Sequence, residues 1–280
     1  MSALKSRESQ PGAMPQIETE DRRPTGSGPM REFEFELPVG YVDENGGVHR
    51  IAVLRKMTGR EEVLLADRKL RQNGGRLVTD LLSNCLRRLG ELDPVPRDAV
   101  SRLTSPDRNY LLLELRKITF GSAMETMYEC PSCGTTNRTL QDLDDLTVRR
   151  VSSEGAPDVR VELEDGYVDT DGALYTTMVF RLPTGTDEER VATTLKGNAS
   201  EGMSALLTRC LVEVGDMPQQ RREMIGTKVI TDLTLGDRSR IDRAFRHEMP
   251  GVELIREVEC EACGRRAERN LDLSSFFSPA

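Results

Sequence analysis

Two five-residue frames, Cys130-Pro131-Ser132-Cys133-Gly134 and Cys260-Glu261-Ala262-Cys263-Gly264, stand at an offset of 130 residues in this 280-residue chain. Each reads Cys-x-x-Cys-Gly, a spacing that makes a tight turn and aims two sulfurs at one point. The glycine that follows accepts positive φ and relaxes the turn. Cys130, Cys133, Cys260 and Cys263 together offer the four soft thiolates of a closed, tetrahedral, structural Zn(2+) site. The same tetrapeptide serves as a redox dithiol when it opens a helix, and a pair of disulfides is the third option. The flanks favour zinc: 124–129 and 252–259 read as strands leading in, and 137–140 and 267–271 as strands leading out. Each frame is then the tip of a hairpin.

The frames close a longer self-similarity. Gly40-Tyr41-Val42-Asp43 returns as Gly166-Tyr167-Val168-Asp169, and Thr58-Gly59-Arg60-Glu61-Glu62 as Thr184-Gly185-Thr186-Asp187-Glu188. Leu81-Leu82 with Cys85 and Gly90 matches Leu206-Leu207 with Cys210 and Gly215, and Asp107-Arg108 matches Asp237-Arg238. A period this long is too great for a solenoid unit, so the expectation is a duplicated domain. The predicted fold class is α+β, each copy being a β-hairpin, several helices and a zinc-knuckle hairpin, arranged with pseudo-twofold symmetry around a shared zinc. The predicted limits are a disordered arm at 1–31, a first repeat at 32–150, a linker at 151–157 and a second repeat at 158–280.

Within each copy the local signals are specific. Residues 32–37 alternate charge with Phe33, Phe35 and Leu37, 43–47 make a turn and 48–54 return, which predicts a half-buried hairpin. Thr58 with Glu61, and Thr186 with Glu189, fit capping boxes. Leu77, Val78, Leu81, Leu82, Cys85, Leu86 and Leu89 fall on one helical face, as do Met203, Leu206, Leu207, Cys210, Leu211 and Val214. Ser105-Pro106-Asp107 and 234–237 read as helix starts. Cys85 and Cys210 would each complete a three-cysteine site in its own half, yet both sit where an apolar residue belongs, and a buried small hydrophobe is the better reading. His49 and His247 occupy unrelated positions and read as a strand residue and a residue of a helix's last turn.

Composition narrows the function. A net charge of −8, a pI near 5.1, no Trp and 4% aromatic residues argue against a nucleic-acid binder, and no apolar run is long enough to span a membrane. No secretory signal pattern opens the chain. No nucleophile elbow, phosphate-binding loop or dinucleotide fingerprint is present, so no catalytic residue is nominated and no small-molecule substrate is expected. Asp43-Glu44-Asn45-Gly46 and Asp169-Thr170-Asp171-Gly172 look like scraps of a calcium loop but are better read as hairpin turns.

The order of motifs is similar to the baseplate protein family of T-even-type tailed phages and of phage tail-like contractile injection systems. The residues that carry the resemblance are Leu37-Pro38-Val39-Gly40-Tyr41-Val42-Asp43, Thr58-Gly59-Arg60-Glu61-Glu62 and Cys130-Pro131-Ser132-Cys133-Gly134. The second half departs from the pattern, with Glu261 in place of the knuckle proline and Glu164-Asp165 in place of Leu-Pro. The resemblance implies a non-enzymatic structural or assembly component whose partners are other baseplate, hub or tail proteins. It would work in the cytoplasm during assembly or within a phage tail-like particle. The alternatives are a zinc-ribbon adaptor in transcription or RNA handling and, less favoured, an enzyme using a pair of carboxylates.

Overall fold

A computed structural model describes residues 32–152 and 156–271. The predicted arm at 1–31, part of the predicted linker and the end of the second repeat lie outside the described residues. The fold is mixed α and β with small antiparallel sheets. The first sheet has the order β1 (Glu32–Val42), β2 (Val48–Arg55), β3 (Leu86–Leu89). Helices α1 (Gly59–Ala66) and α2 (Gly74–Cys85) lie between β2 and β3, and α3 (Arg97–Arg102) and α4 (Ser105–Phe120) follow. Strands β4 (Ala123–Glu129) and β5 (Thr136–Asp142) pair with each other, and a short β6 (Val148–Arg149) ends the half.

The element order then recurs. Strands β7 (Val159–Val168) and β8 (Leu174–Phe180) precede α5 (Gly185–Gly197) and α6 (Ala199–Cys210), and β9 (Leu211–Val214) completes a second three-stranded sheet. Short helices α7 (Gln219–Ile225) and α8 (Lys228–Thr231) lead to α9 (Leu235–Glu248). Strand β10 (Gly251–Val252) pairs antiparallel with β6 of the first half, and β11 (Ile255–Glu259) pairs with β12 (Arg266–Asn270).

Two sequence readings are corrected. Leu86 and Leu89, and likewise Leu211 and Val214, do not continue a helix but form β3 and β9. The β2–β3 ladder slips between Val53 and Leu54, and the β8–β9 ladder between Val179 and Phe180. A bulge lets residues three apart face the same side of a strand, so Leu86 and Leu89 are both buried and imitate helical spacing. Each predicted hairpin is therefore a three-stranded sheet, and Met203, predicted as core, is 43% exposed. The second capping box is made by Thr184 and Asp187, not by Thr186 and Glu189. Arg181, the residue after β8, grips Asp187 through two bonds (2.7 and 3.1 Å), as Arg55 at the end of β2 grips Glu61 (3.1 and 2.8 Å). An acid braced by the preceding strand fixes where the helix begins.

The repeated Gly-Tyr-x-Asp and Asp-Arg motifs meet in space. Strand β1 is irregular between Glu36 and Tyr41, and the freed N–H groups of Val39 and Gly40 donate to the buried Asp107 carboxylate (2.8 and 3.1 Å). In β7 the N–H groups of Glu164, Asp165 and Gly166 donate to Asp237 in the same way (2.6, 3.1 and 2.9 Å). Gly40 and Gly166 take φ of +100° and +77° there, which a side chain would oppose. Burial pushes the Asp107 carboxyl up to about 6, against the hydrogen bonds that favour its anion.

Each half has its own apolar core, and Val39 of the first hairpin reaches into the core of the second half. A third, smaller cluster of Leu113, Met124, Leu143, Leu146 and Leu271 draws on both halves, with Val252 and Leu254 packed against it. The halves also join where the start of α5 enters a groove on α2, α3 and α4. Ser105 N–H donates to Pro183 O (2.7 Å) and Gly185 N–H to Leu103 O (3.1 Å). Arg108, fully buried, donates to Glu188 Oε2 (3.1 Å), Thr79 Oγ1 (3.1 Å), Val100 O (3.3 Å) and Gly75 O (2.9 Å). A Cβ on Gly75 would lie 2.5 Å from the Glu189 backbone nitrogen, so the approach of α5 depends on that glycine.

Candidate metal centre

The two knuckles are built alike. At the first tip Cys130 N–H donates to Thr135 O and Gly134 N–H to Cys130 O, both at 2.9 Å. At the second, Cys260 N–H donates to Arg265 O (2.9 Å) and Gly264 N–H to Cys260 O (2.8 Å). Gly134 and Gly264 take φ of +70° and +68°, the left-handed conformation that the sequence spacing asks of them. In each knuckle the first cysteine is buried and the second exposed.

The tips face one another, and the structure brings Cys130, Cys133, Cys260 and Cys263 together with all four Sγ atoms within 4.8 Å of one another. Cys130 Sγ lies 3.7 Å from Cys263 Sγ, and Cys133 Sγ 3.7 Å from Cys260 Sγ. A tetrahedron with Zn–S bonds of about 2.3 Å has S···S edges of about 3.8 Å, so the donor set and its dimensions suit that ion. The separations are far beyond the roughly 2.05 Å of a disulfide. Neither frame opens a helix, the setting in which this tetrapeptide acts as a redox dithiol.

Titration of the thiols reflects their crowding. Backbone N–H groups of Cys263 and Ala262 bring Cys260 down to about 6 in spite of burial. Cys263 goes up to about 12: the Arg265 N–H lowers it, but the neighbouring Cys133 sulfur and burial raise it further. Four thiolates this close repel one another unless a cation sits among them.

Contacts outside the sulfurs brace the pair of tips, and sequence reasoning did not find them. Tyr128 Oη donates to Glu259 O (2.8 Å), and Arg269 donates to Glu129 O (3.0 Å) with its guanidinium 5.7 Å from the Tyr128 ring centroid. Buried Asn137 accepts from Glu261 N–H (3.0 Å) across the junction and donates to Thr135 O (2.9 Å) within its own knuckle. Ala267 holds the position equivalent to Asn137, so the repeat gave no signal for it.

The other candidates fall away from this cluster. Cys85 and Cys210 lie in the two separate cores, and burial pushes both thiols up to about 12. His49 is bonded to Asp43 in the first turn (2.9 Å), and His247 stands in the last turn of α9. Asp43 accepts from Asn45 and Gly47 N–H groups, both at 2.8 Å, which is turn chemistry. A cleft between α2 and α5, of about 310 Å³, is lined by Gly74, Gly75, Val78, Glu188, Ala192 and Leu195. Its one carboxylate, Glu188, is engaged by Arg108 and is not half of an acid/base pair. Among the described residues no helix is long and apolar enough to cross a membrane.

A model of the family described as T4 bacteriophage base plate protein matches residues 30–278. No curated protein and no solved structure matches the chain.

Proposed function

The chain belongs to the T4 bacteriophage base plate protein family, and from that premise we propose that it is a non-enzymatic structural or assembly component of a phage-like baseplate or contractile tail, stabilised by one structural zinc. Family membership implies association with other baseplate or tail proteins, and the proposed setting is the cytoplasm during assembly or the tail-like particle itself. The observation that carries the metal reading is the four-sulfur cluster, drawn equally from knuckles at distant points of the chain. Cys130, Cys133, Cys260 and Cys263 would be the ligands. Zinc supplies bonds to four thiolates without redox chemistry and leaves no open position for a substrate.

The proposed domain plan is a duplication with repeats at 32–150 and 158–280. The recurrent element order and the reciprocal sulfur contacts support a pseudo-twofold relation around the metal. A body of two lobes clamped in this way presents fixed surfaces to partners.

Metal analysis of protein purified without chelator is expected to give close to one zinc per chain. None, or two, would overturn the shared site. Fractionation of cells that make the whole tail system is expected to place the chain with tail-like particles or their assembly intermediates. Its absence from both would overturn the functional reading.

A further inference from the structure

The groove that receives α5 has a counterpart in the second half, and the face of α5 that enters it has a counterpart in the first. Both counterparts are largely exposed, apart from Leu233 and a half-buried Met57. Ser101, Leu103, Thr104 and Ser105 are buried at the joint, whereas their equivalents Thr231, Thr234 and Leu235 are exposed, Leu235 at 81%, and only Leu233 is covered. Pro183 and Gly185 are buried, whereas Thr58, Gly59, Arg60 and Glu62 at the start of α1 are exposed, and Val63 beside them is 73% exposed. A Cβ on Gly185 would strike the Arg108 guanidinium, while one on Gly59 would meet nothing within 4 Å.

The charges on the exposed faces match as they do at the joint. Glu188 pairs with Arg108 inside the chain, and the equivalent positions are Glu62 and Arg238. Neither of those two side chains has a hydrogen-bond or ion-pair partner among the described residues. Arg60 stands where Thr186 donates to Ser101 O, and the face it would meet carries Asp232 beside Thr231.

We propose that a second copy of this chain docks head to tail, the start of its α1 seated on residues 231–238, with Glu62 against Arg238 and Arg60 against Asp232. The contact repeats between molecules the joint already made within each one. It is heterologous, so each added chain leaves a free face and growth gives a ring or a filament rather than a closed pair. It is also weaker than the internal joint. Ser200 replaces Gly75, which keeps the helices further apart, and α1 is shorter than α5. The proposal rests on the recurrence of contacts and does not depend on zinc or on the partners of a tail.

Sedimentation velocity of the full, metal-loaded chain over about a hundredfold concentration range tests it by mass action. The average mass is expected to climb above 31.3 kDa by successive additions, and to climb less in high salt. Arg238→Glu and Glu62→Arg, changed singly, are each expected to abolish the rise without moving the melting temperature. Mixing those two single variants restores complementary faces and should restore assembly. Leu235→Lys provides a second route to the loss if either charge variant folds poorly. A mass that stays at 31.3 kDa throughout, or association that survives all three substitutions, overturns the proposal.

Discussion

Where the knuckles meet, each gives what it receives: Cys130 faces Cys263 as Cys133 faces Cys260, at the same 3.7 Å. At the α5 joint the exchange runs one way. The start of α5 enters the groove on α2, α3 and α4, and the equivalent glycine of α1 faces open space. The first junction brings four sulfurs together on two small hairpins, braced by the hydrogen bonds of Tyr128, Asn137 and Arg269. The second is held by a buried guanidinium that reaches four acceptors. One chain thus joins two similar halves by a symmetric contact at one end and an asymmetric one at the other, so the halves need not share one rotation axis throughout.

The largest way to separate these junctions is to remove the metal ligands. Cys133→Ser is expected to lose the ion and to melt the knuckles in an early transition. Zinc-binding free energies of about 10–16 kcal/mol in small sites are folding free energies. Differential scanning calorimetry with and without chelator reads this, and an unchanged melting profile would mean that the knuckles stand without metal.

Arg108→Ala comes next. It leaves Glu188 with the Ser105 hydroxyl alone and strips Thr79, Val100 and Gly75 of their buried donor, and is expected to cost about 3–5 kcal/mol in urea unfolding. Arg238→Ala, the same change at the equivalent position, should cost within about 0.5 kcal/mol. Equal losses would break the claim that the joint is one-sided.

The smallest effect is one of order on acidification. Burial raises the Glu61 carboxyl, but the Arg55 guanidinium and the Thr58 donors outweigh it and hold the group at about 2, below its ordinary 4.5. A carboxyl depressed on folding contributes stability that is present above the unfolded value and is lost only as the pH falls towards the folded one. Thiolates must be deprotonated to bind metal, so falling pH should release zinc before it loosens the bodies. Simultaneous metal release and loss of far-UV circular dichroism would show the knuckles and the bodies to be a single cooperative unit.

Much of the local structure was legible in the residues. The Cys-x-x-Cys-Gly frames gave two hairpin tips, Thr58 with Glu61 gave a helix start, and Ser105-Pro106-Asp107 gave the start of α4. Cys85 and Cys210 were rightly assigned to the cores. The failures share a cause. Leu86 and Leu89 imitate a helix because a bulge, invisible in the strand's own residues, turns both inward against β2. Thr186 and Glu189 fit the capping pattern as text, but Arg181, just past β8, braces Asp187 and moves the cap to Thr184. Asn137 carries no motif and takes its role from Glu261, far along the chain.

The two knuckles, the repeated order of elements and the family are all legible in the residues alone. Turn, cap and thiol chemistry are set by residues a few positions apart, and recurrence can be read without coordinates. The convergence of the four cysteines was expected from the frames and is seen in the structure, whereas only the packing of the chain settles that one of two like-placed arginines is buried and the other is not, and that the start of α5, not that of α1, is seated in a groove. Arg108 and Arg238 stand in the same local setting, Thr-x-x-Asp-Arg. They differ because Glu188, 80 residues from Arg108, is carried into its groove by α5, whereas no part of the described chain brings a carboxylate to Arg238.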